Sequence, residues 1–423
     1  MTVVITGLGI LSPYGIGADA LTRGVANGSL GQMSRSTSSF PPGACEIGFG
    51  MRIPESDFAA ALDGEPRRFL NRESLLLLAA ARLALADAHH PRGQIEHTGI
   101  VVSTRHAGLQ DYADLFWTGL GRDASRHASD ATQGANRRRV SPARGPQTGL
   151  NAPAAQLSIR LGARGPNVTL TNGAAGGIDA LAYATSALEA GRIRTMLVGG
   201  VEVIPDLTQS RTPRNDGRAS RTLPRPFDRD RAGPLLGEAG VIAVLERAKD
   251  AQQRGVRVQA RVRATSTAFA PDDDLETASR RSLMGALEAC TLAPEDIGAV
   301  FAAANGSIAG DAAESRALHT VFGERTPVCA VKGATADSMG AAALIQLAVA
   351  ISSIERRSIP ATPGFQSPGR DIASIRILGA PEPLAPGPVA IHAWDALSSS
   401  ATAIVDTGEH PASRPRARRA SGT

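Results

Sequence analysis

The chain has 423 residues, of which 42% are hydrophobic and 20% charged, and its net charge is +5 at pH 7. That is enough apolar material for a large buried core, which excludes a disordered chain. Aromatics make up only 4% and basic residues are scattered among acids, which excludes a stacking platform or a groove reader for nucleic acid.

In chain order, apolar β-type runs predict strands over 3–9, 99–103, 168–171 and 195–199. A helix is predicted over 73–88, with Asn71 as its N-cap. In the segment from Gly108 to Trp117, the side chains Leu109, Tyr112, Phe116 and Trp117 recur at helical spacing and share one face. A second half begins near Val256 with a strand over 258–264. It continues with a helix over 278–289, a strand over 299–304, a helix over 312–322, a strand over 328–331 and a helix over 340–354. Strands over 389–393 and 401–406 close it. The alternation of strands and helices argues for an α/β fold in two similar halves, 1–255 and 256–408. The Arg-rich tail 409–423 is expected to be disordered.

The longest purely apolar helical run, 75–81, ends at Arg82. It is far short of the ~20 residues that span a bilayer, so no membrane is expected. No signal-peptide pattern opens the chain, and the expected compartment is the cytoplasm. Cys45, Cys290 and Cys329 are too few and too scattered for a disulfide framework or a metal site. They read as buried thiols. Arginine supplies nearly all the positive charge, Lys249 and Lys332 being the only lysines. The triplet Arg137-Arg138-Arg139 is either a guide for an acidic carrier protein or a solvated patch.

The most informative stretch is Thr171-Asn172-Gly173-Ala174-Ala175-Gly176-Gly177. A strand, a glycine turn and a helix N-terminus make an elbow, a place where the helix dipole lowers a thiol's pKa. The stretch resembles the nucleophile elbow of the β-ketoacyl synthase family, with Ala174 where that family carries its cysteine. The resemblance extends over nearly the whole chain. It is carried by Val3-Val4-Ile5-Thr6-Gly7-Leu8-Gly9, by Arg139-Val140-Ser141-Pro142 and by Leu161-Gly162-Ala163-Arg164-Gly165-Pro166-Asn167. It is carried above all by Arg225-Pro226-Phe227-Asp228-Arg229-Asp230-Arg231-Ala232-Gly233 with Gly237-Glu238.

Within that family, Asn305 in Ala303-Ala304-Asn305-Gly306-Ser307 stands where one catalytic histidine is expected. Asp337 in Lys332-Gly333-Ala334-Thr335-Ala336-Asp337 stands where the other is expected. His106 and His319, the histidines closest to motif-like segments, read as surface or helix residues. The whole Cys-His-His set is thus replaced, and no catalytic residue is expected. An ionised Asp337 would repel an enolate, while Asn305 can still donate one hydrogen bond. Lys332 and Glu314 lie near these positions and are expected to join Asn305 and Asp337 in a polar network. Asp395-Ala396-Leu397-Ser398-Ser399-Ser400 replaces a glycine-rich turn that helps form the oxyanion hole, so that hole is expected to be absent or reshaped.

The resemblance implies the thiolase fold, duplicated βα halves in a five-layer αβαβα arrangement. It implies a non-catalytic chain length factor, the ketosynthase β subunit of a type II polyketide synthase. The implied partners are a catalytic ketosynthase α subunit in a heterodimer and an acyl carrier protein. The chain would have no cofactor of its own, only the carrier's phosphopantetheine-bound acyl chains. Leu109, Tyr112, Phe116 and Trp117 lie where that subfamily closes its acyl tunnel. Ala174 departs from the glutamine that aromatic systems place there, so aromatic and reduced, polyene-type products both stay open. Two alternatives also stay open: a malonyl-carrier-protein decarboxylase subunit, and a degenerate ketosynthase acting as a scaffold.

Overall fold

The computed structural model describes residues 2–28, 33–35, 49–62, 64, 70–120, 142–205, 223–272 and 274–407. Cys45, the Arg137–Arg139 triplet and the tail 409–423 lie outside the described residues.

Two sets of five strands carry the architecture. In the first set, Val3–Ser12, Thr98–Ser103, Asn167–Leu170, Thr195–Glu202 and Ala239–Arg247 are ordered third, second, fourth, fifth, first across the sheet. In the second set, Ala260–Phe269, Ala299–Phe301, Pro327–Cys329, Val389–Asp395 and Ser399–Asp406 repeat the same order. In both sets the fifth strand runs antiparallel to its neighbours and the second runs parallel to the third and fourth. The two first strands meet antiparallel, Val3 opposite Val262 and Ile5 opposite Ala260. The order is therefore mirrored about this junction, the mark of an internal duplication.

The strand Ala239–Arg247 is absent from the sequence reading, which ended the motif at Glu238 and assigned no element between it and Val256. It is a central strand, paired on both sides and buried on both faces. Val241, Ala243 and Leu245 face the middle of the molecule, and Ile242 and Val244 face the outer layer. This is why its sequence is a continuous apolar run rather than an alternating one.

Five layers follow from these faces, with the two mirrored sets, joined edge to edge at the two first strands, serving as first and second sheet. The helix Arg72–Asp87 covers the outer face of the first sheet, packing Leu76, Leu77 and Ala84 on Ile100, Val102 and Leu197. The first strand approaches it so closely that a Cβ at Gly9 would overlap Ala80 O. The helices Leu275–Ala289 and Ile308–Phe322 cover the outer face of the second sheet through Leu283, Leu287, Leu318 and Phe322. Between the sheets lie Gly176–Glu189 and Ala342–Arg356, whose Leu181, Leu344 and Leu347 share one core with Val198 and Val241 of the first sheet and Ile391 and Val405 of the second. This is the thiolase fold. The helical stretch Met339–Arg356 is long and apolar enough to cross a membrane, but its surface is used in this middle layer.

Helix boundaries follow their caps. Asn71 Oδ1 accepts from Ser74 N at 3.0 Å, as its sequence position predicts. Asp274 and Ser307 cap two helices in the same way, accepting from Thr277 N at 2.9 Å and Gly310 N at 3.2 Å. Those helices therefore start at Leu275 and Ile308, three and four residues before the predicted starts.

Candidate functional site

The elbow exists as the glycines require. Strand Asn167–Leu170 passes through a 3-10 turn, Gly173–Ala175, into the central helix Gly176–Glu189. Gly173 has φ +56°, and a Cβ there would overlap Asp395 Oδ2. Only glycine fits both the backbone and the contact. Ala174 is 3% exposed. Its methyl group has no lone pair and cannot attack a thioester.

Opposite the elbow, the strands Val389–Asp395 and Ser399–Asp406 form a hairpin whose tip carries Ala396, Leu397 and Ser398. Two of its backbone donors are engaged. Leu397 N donates to Asp395 Oδ1 at 3.2 Å and Ser398 N donates to Asp395 O at 3.0 Å. Ser398 sits at φ +59°, a region costly for a residue with a Cβ. Arg105 Nη1 donates to Asp395 Oδ2 from the other half of the molecule.

Asn305, Asp337 and Lys332 come together in one buried cluster. Asn305 Nδ2 donates to Asp337 Oδ2 at 2.8 Å, and Lys332 Nζ donates to the same oxygen at 3.1 Å. Met339 N donates to Asp337 Oδ1 at 3.0 Å. The Lys332 ammonium also lies 6.0 Å from the centroid of the Trp394 ring. The Asp337 carboxylate is not a bare charge: the ammonium of Lys332 balances it. One amide hydrogen of Asn305 is used inside the cluster.

The expected place of Glu314 in that network is corrected. Its Oε1 accepts from Ala303 N at 2.8 Å and pairs with His392 Nδ1 at 2.6 Å. His392 Nε2 lies 2.9 Å from Ser400 Oγ, whose hydroxyl lies 2.8 Å from Ser282 Oγ. Ser400, His392 and Glu314 have the spacings of a hydrolytic triad, yet all three side chains are fully buried. No substrate reaches them, and the chain of bonds instead ties the last two strands to two outer helices. Sequence reasoning missed His392 because it belongs to no motif. Asp311 plays a related part, accepting from Phe227 N, Asn305 N and Gly306 N. It thereby fastens the long Arg225–Gly233 motif beside Asn305.

Of the other histidines, His106 is half-buried in a loop, its Nδ1 2.9 Å from Glu202 Oε1, and His319 lies in the helix Ile308–Phe322 with Nδ1 2.7 Å from Ser374 O. Cys329 is buried, its thiol pushed up to about 12 by burial, while Cys290 is only half-buried and departs from the expected buried thiol.

The predicted helical face is part of a helix spanning Leu109–Leu120. Tyr112 is 55% exposed on it and Leu109 is half-buried. The side chains of Phe116 and Trp117 lie outside the described residues. Beneath the start of this helix sits Glu73, whose Oε1 accepts from Gly108 N at 3.4 Å. Burial, with the nearby carboxylates of Asp111 and Glu202, raises its pKa from 4.5 to about 7. The folded state therefore holds an extra proton between pH 4.5 and about 7, and stability falls as pH rises through that window. The deficit above that window is on the order of 3 kcal/mol. Glu73→Gln keeps an acceptor for Gly108 N and removes the charge. Urea unfolding is expected to show a clear gain in stability for this variant at about pH 8 and little at about pH 5. An equal change at both pH values would contradict the burial argument.

Comparison with known proteins bears on this site. Residues 1–251 match the beta-ketoacyl synthase N-terminal domain and residues 254–366 its C-terminal domain. The tetracenomycin polyketide synthase ketoacyl synthase beta subunit of Streptomyces glaucescens is 31% identical over 393 residues, covering 90% of this chain and 92% of its own. The actinorhodin polyketide putative beta-ketoacyl synthase 2 of Streptomyces coelicolor is 30% identical over 403 residues, covering 91% and 94%. Among solved structures, the ishigamide ketosynthase/chain length factor superposes with a TM-score of 0.84 at 24% identity, over 96% of this chain and 99% of that one. A type II ketosynthase solved with its acyl-carrier protein and a hexaketide superposes with a TM-score of 0.80 at 20% identity, over 96% and 98%. Both halves of the duplicated fold, the elbow and the long arginine-rich motif thus have one common origin: the chain belongs to the β-ketoacyl synthase family.

Proposed function

We propose that this chain is a chain length factor: a non-catalytic subunit that pairs with a catalytic ketosynthase in the cytoplasm. In this reading it shapes the tunnel in which a polyketide grows on an acyl carrier protein. The observation that carries the reading is the state of the elbow and the buried cluster. Ala174 offers no nucleophile, and Asn305 and Lys332 each direct a donor to the Asp337 carboxylate. Claisen condensation needs a thiolate to hold the acyl chain and free donors to stabilise an enolate. The chain has the fold for this chemistry and lacks the thiol at the elbow.

An unpaired surface supports the association. Among the described residues, strand Asn167–Leu170 is the terminal strand of the sheet, with one edge open. Beside it, Ile159 is 70% exposed on the adjoining helix Ala152–Leu161. An open strand edge with an exposed apolar side chain on the adjoining helix is a surface that a partner covers. The carrier's phosphopantetheine-bound acyl chain would then belong to the partner's active site.

Two measurements test the proposal together. The purified chain is expected to leave residue 174 unmodified by cerulenin and to release no carbon dioxide from malonyl carrier protein. Mixed or co-expressed with its ketosynthase, it is expected to elute as a 1:1 heterodimer on size-exclusion chromatography. Decarboxylation by the chain alone, or a stable monomer that ignores the ketosynthase, would sink the reading.

A further inference from the structure

The elbow is closed by more than the loss of a thiol. Asp395 ends the strand Val389–Asp395, and its carboxylate lies directly against Gly173, the residue before Ala174. Three features hold it there. Arg105 Nη1 donates to Oδ2, Leu397 N donates to Oδ1, and the side chain is 7% exposed. Arg105 is itself anchored, because its backbone N–H donates to Glu202 Oε2 at 2.9 Å. The same carboxylate of Glu202 accepts from His106 N at 3.0 Å and from Gly340 N at 3.1 Å. Glu202 therefore fixes the base of the arginine, and the arginine fixes Asp395.

A guanidinium and a backbone N–H converging beside a helix N-terminus form a site that favours a carboxylate. Here the chain fills that site with its own side chain. We infer that Asp395 is a built-in occupant of the elbow, held by Arg105 and Leu397 N, which shuts out external anions and thioesters whatever residue stands at 174. The site it occupies would otherwise take a small organic carboxylate. Asp395 acts on residue 174 in two ways. It fills the space beside the elbow, and it neutralises the Arg105 guanidinium, whose positive charge would otherwise favour a thiolate there. A guanidinium left without its carboxylate lowers a nearby thiol's pKa by about one unit or more, which raises the thiolate fraction about tenfold.

The test reads residue 174 alone and uses the full chain. Ala174→Cys, Ala174→Cys/Asp395→Ala and Ala174→Cys/Asp395→Asn are treated with iodoacetamide and, separately, with iodoacetate. Labelling of the introduced thiol at position 174 is followed by peptide mass spectrometry. The thiolate sulfur bonds to the methylene carbon, iodide leaves with the C–I pair, and the thiol proton goes to solvent. Ala174→Cys is expected to label slowly with both reagents. Removing the aspartate is expected to speed labelling about tenfold, with iodoacetate gaining more than iodoacetamide because Arg105 is left without its carboxylate. The Asn variant, which keeps an acceptor for Leu397 N, decides the matter if the Ala variant does not fold. Equal labelling at position 174 with and without Asp395, or no preference for iodoacetate, would overturn the inference. Neither partner nor carrier is present, so a failure here leaves the pairing result untouched, and a failure to pair leaves this result untouched.

Discussion

Asp337→Ala is expected to destabilise the protein by about 3–5 kcal/mol, as removal of one member of a buried ion pair does. Lys332 and Asp337 are each 2% exposed, and the carboxylate takes hydrogen bonds from Lys332 Nζ, Asn305 Nδ2 and Met339 N. Without it, an ammonium is stranded in the core beside the Trp394 ring, and an amide and a backbone N–H lose their acceptor. A Lys332→Met/Asp337→Ala double variant is expected to recover most of the loss. Methionine has a similar length, carries no charge and packs well against an aromatic ring. Thermal and urea unfolding of the two single variants and the double variant give the coupling directly. Additive losses, with no recovery in the double variant, would mean that the pair does not act as a unit. The result matters for function as well as stability. It separates a cluster that holds the fold together from one kept for chemistry.

What could be read from the sequence was local. The elbow was legible because glycines at a strand-to-helix turn are a short-range requirement. Asn71 was legible as a cap because the capping bond reaches only to Ser74. The missing nucleophile followed from a single position. The contacts that decide the site's chemistry were not legible, since they join distant residues. Arg105 and Asp395 are 290 positions apart, and Glu314 and His392 are 78 apart. No periodicity or motif spacing carries such pairings; the mirrored stacking of the two sheets makes them. Asn305 and Asp337 were placed correctly as neighbours, but Glu314 was drawn into their network only because it lies near them in the chain. The strand Ala239–Arg247 was passed over although its continuous apolar run is the same pattern that marked the buried strands over 99–103 and 195–199, because it directly follows the long motif that ends at Glu238.

Chain length is where the proposed role is most exposed to test. Helix Leu109–Leu120 presents Tyr112 at 55% exposure on the isolated chain. If a partner covers this face and the growing acyl chain ends against it, the phenol ring is a suitable stop. A close-packed ring leaves no room for another two-carbon unit. Truncating it opens a volume of the size that a short acyl extension fills, while the partner's chemistry is untouched. Leu109, half-buried one turn earlier on the same face, is expected to have a smaller effect in the same direction. The most direct measurement is the intact mass of the carrier protein loaded by the co-expressed heterodimer, with the parent chain and with Tyr112→Ala. The proposed role requires products at least one two-carbon unit longer in the variant, with turnover persisting. An unchanged product mass from an intact heterodimer would contradict it.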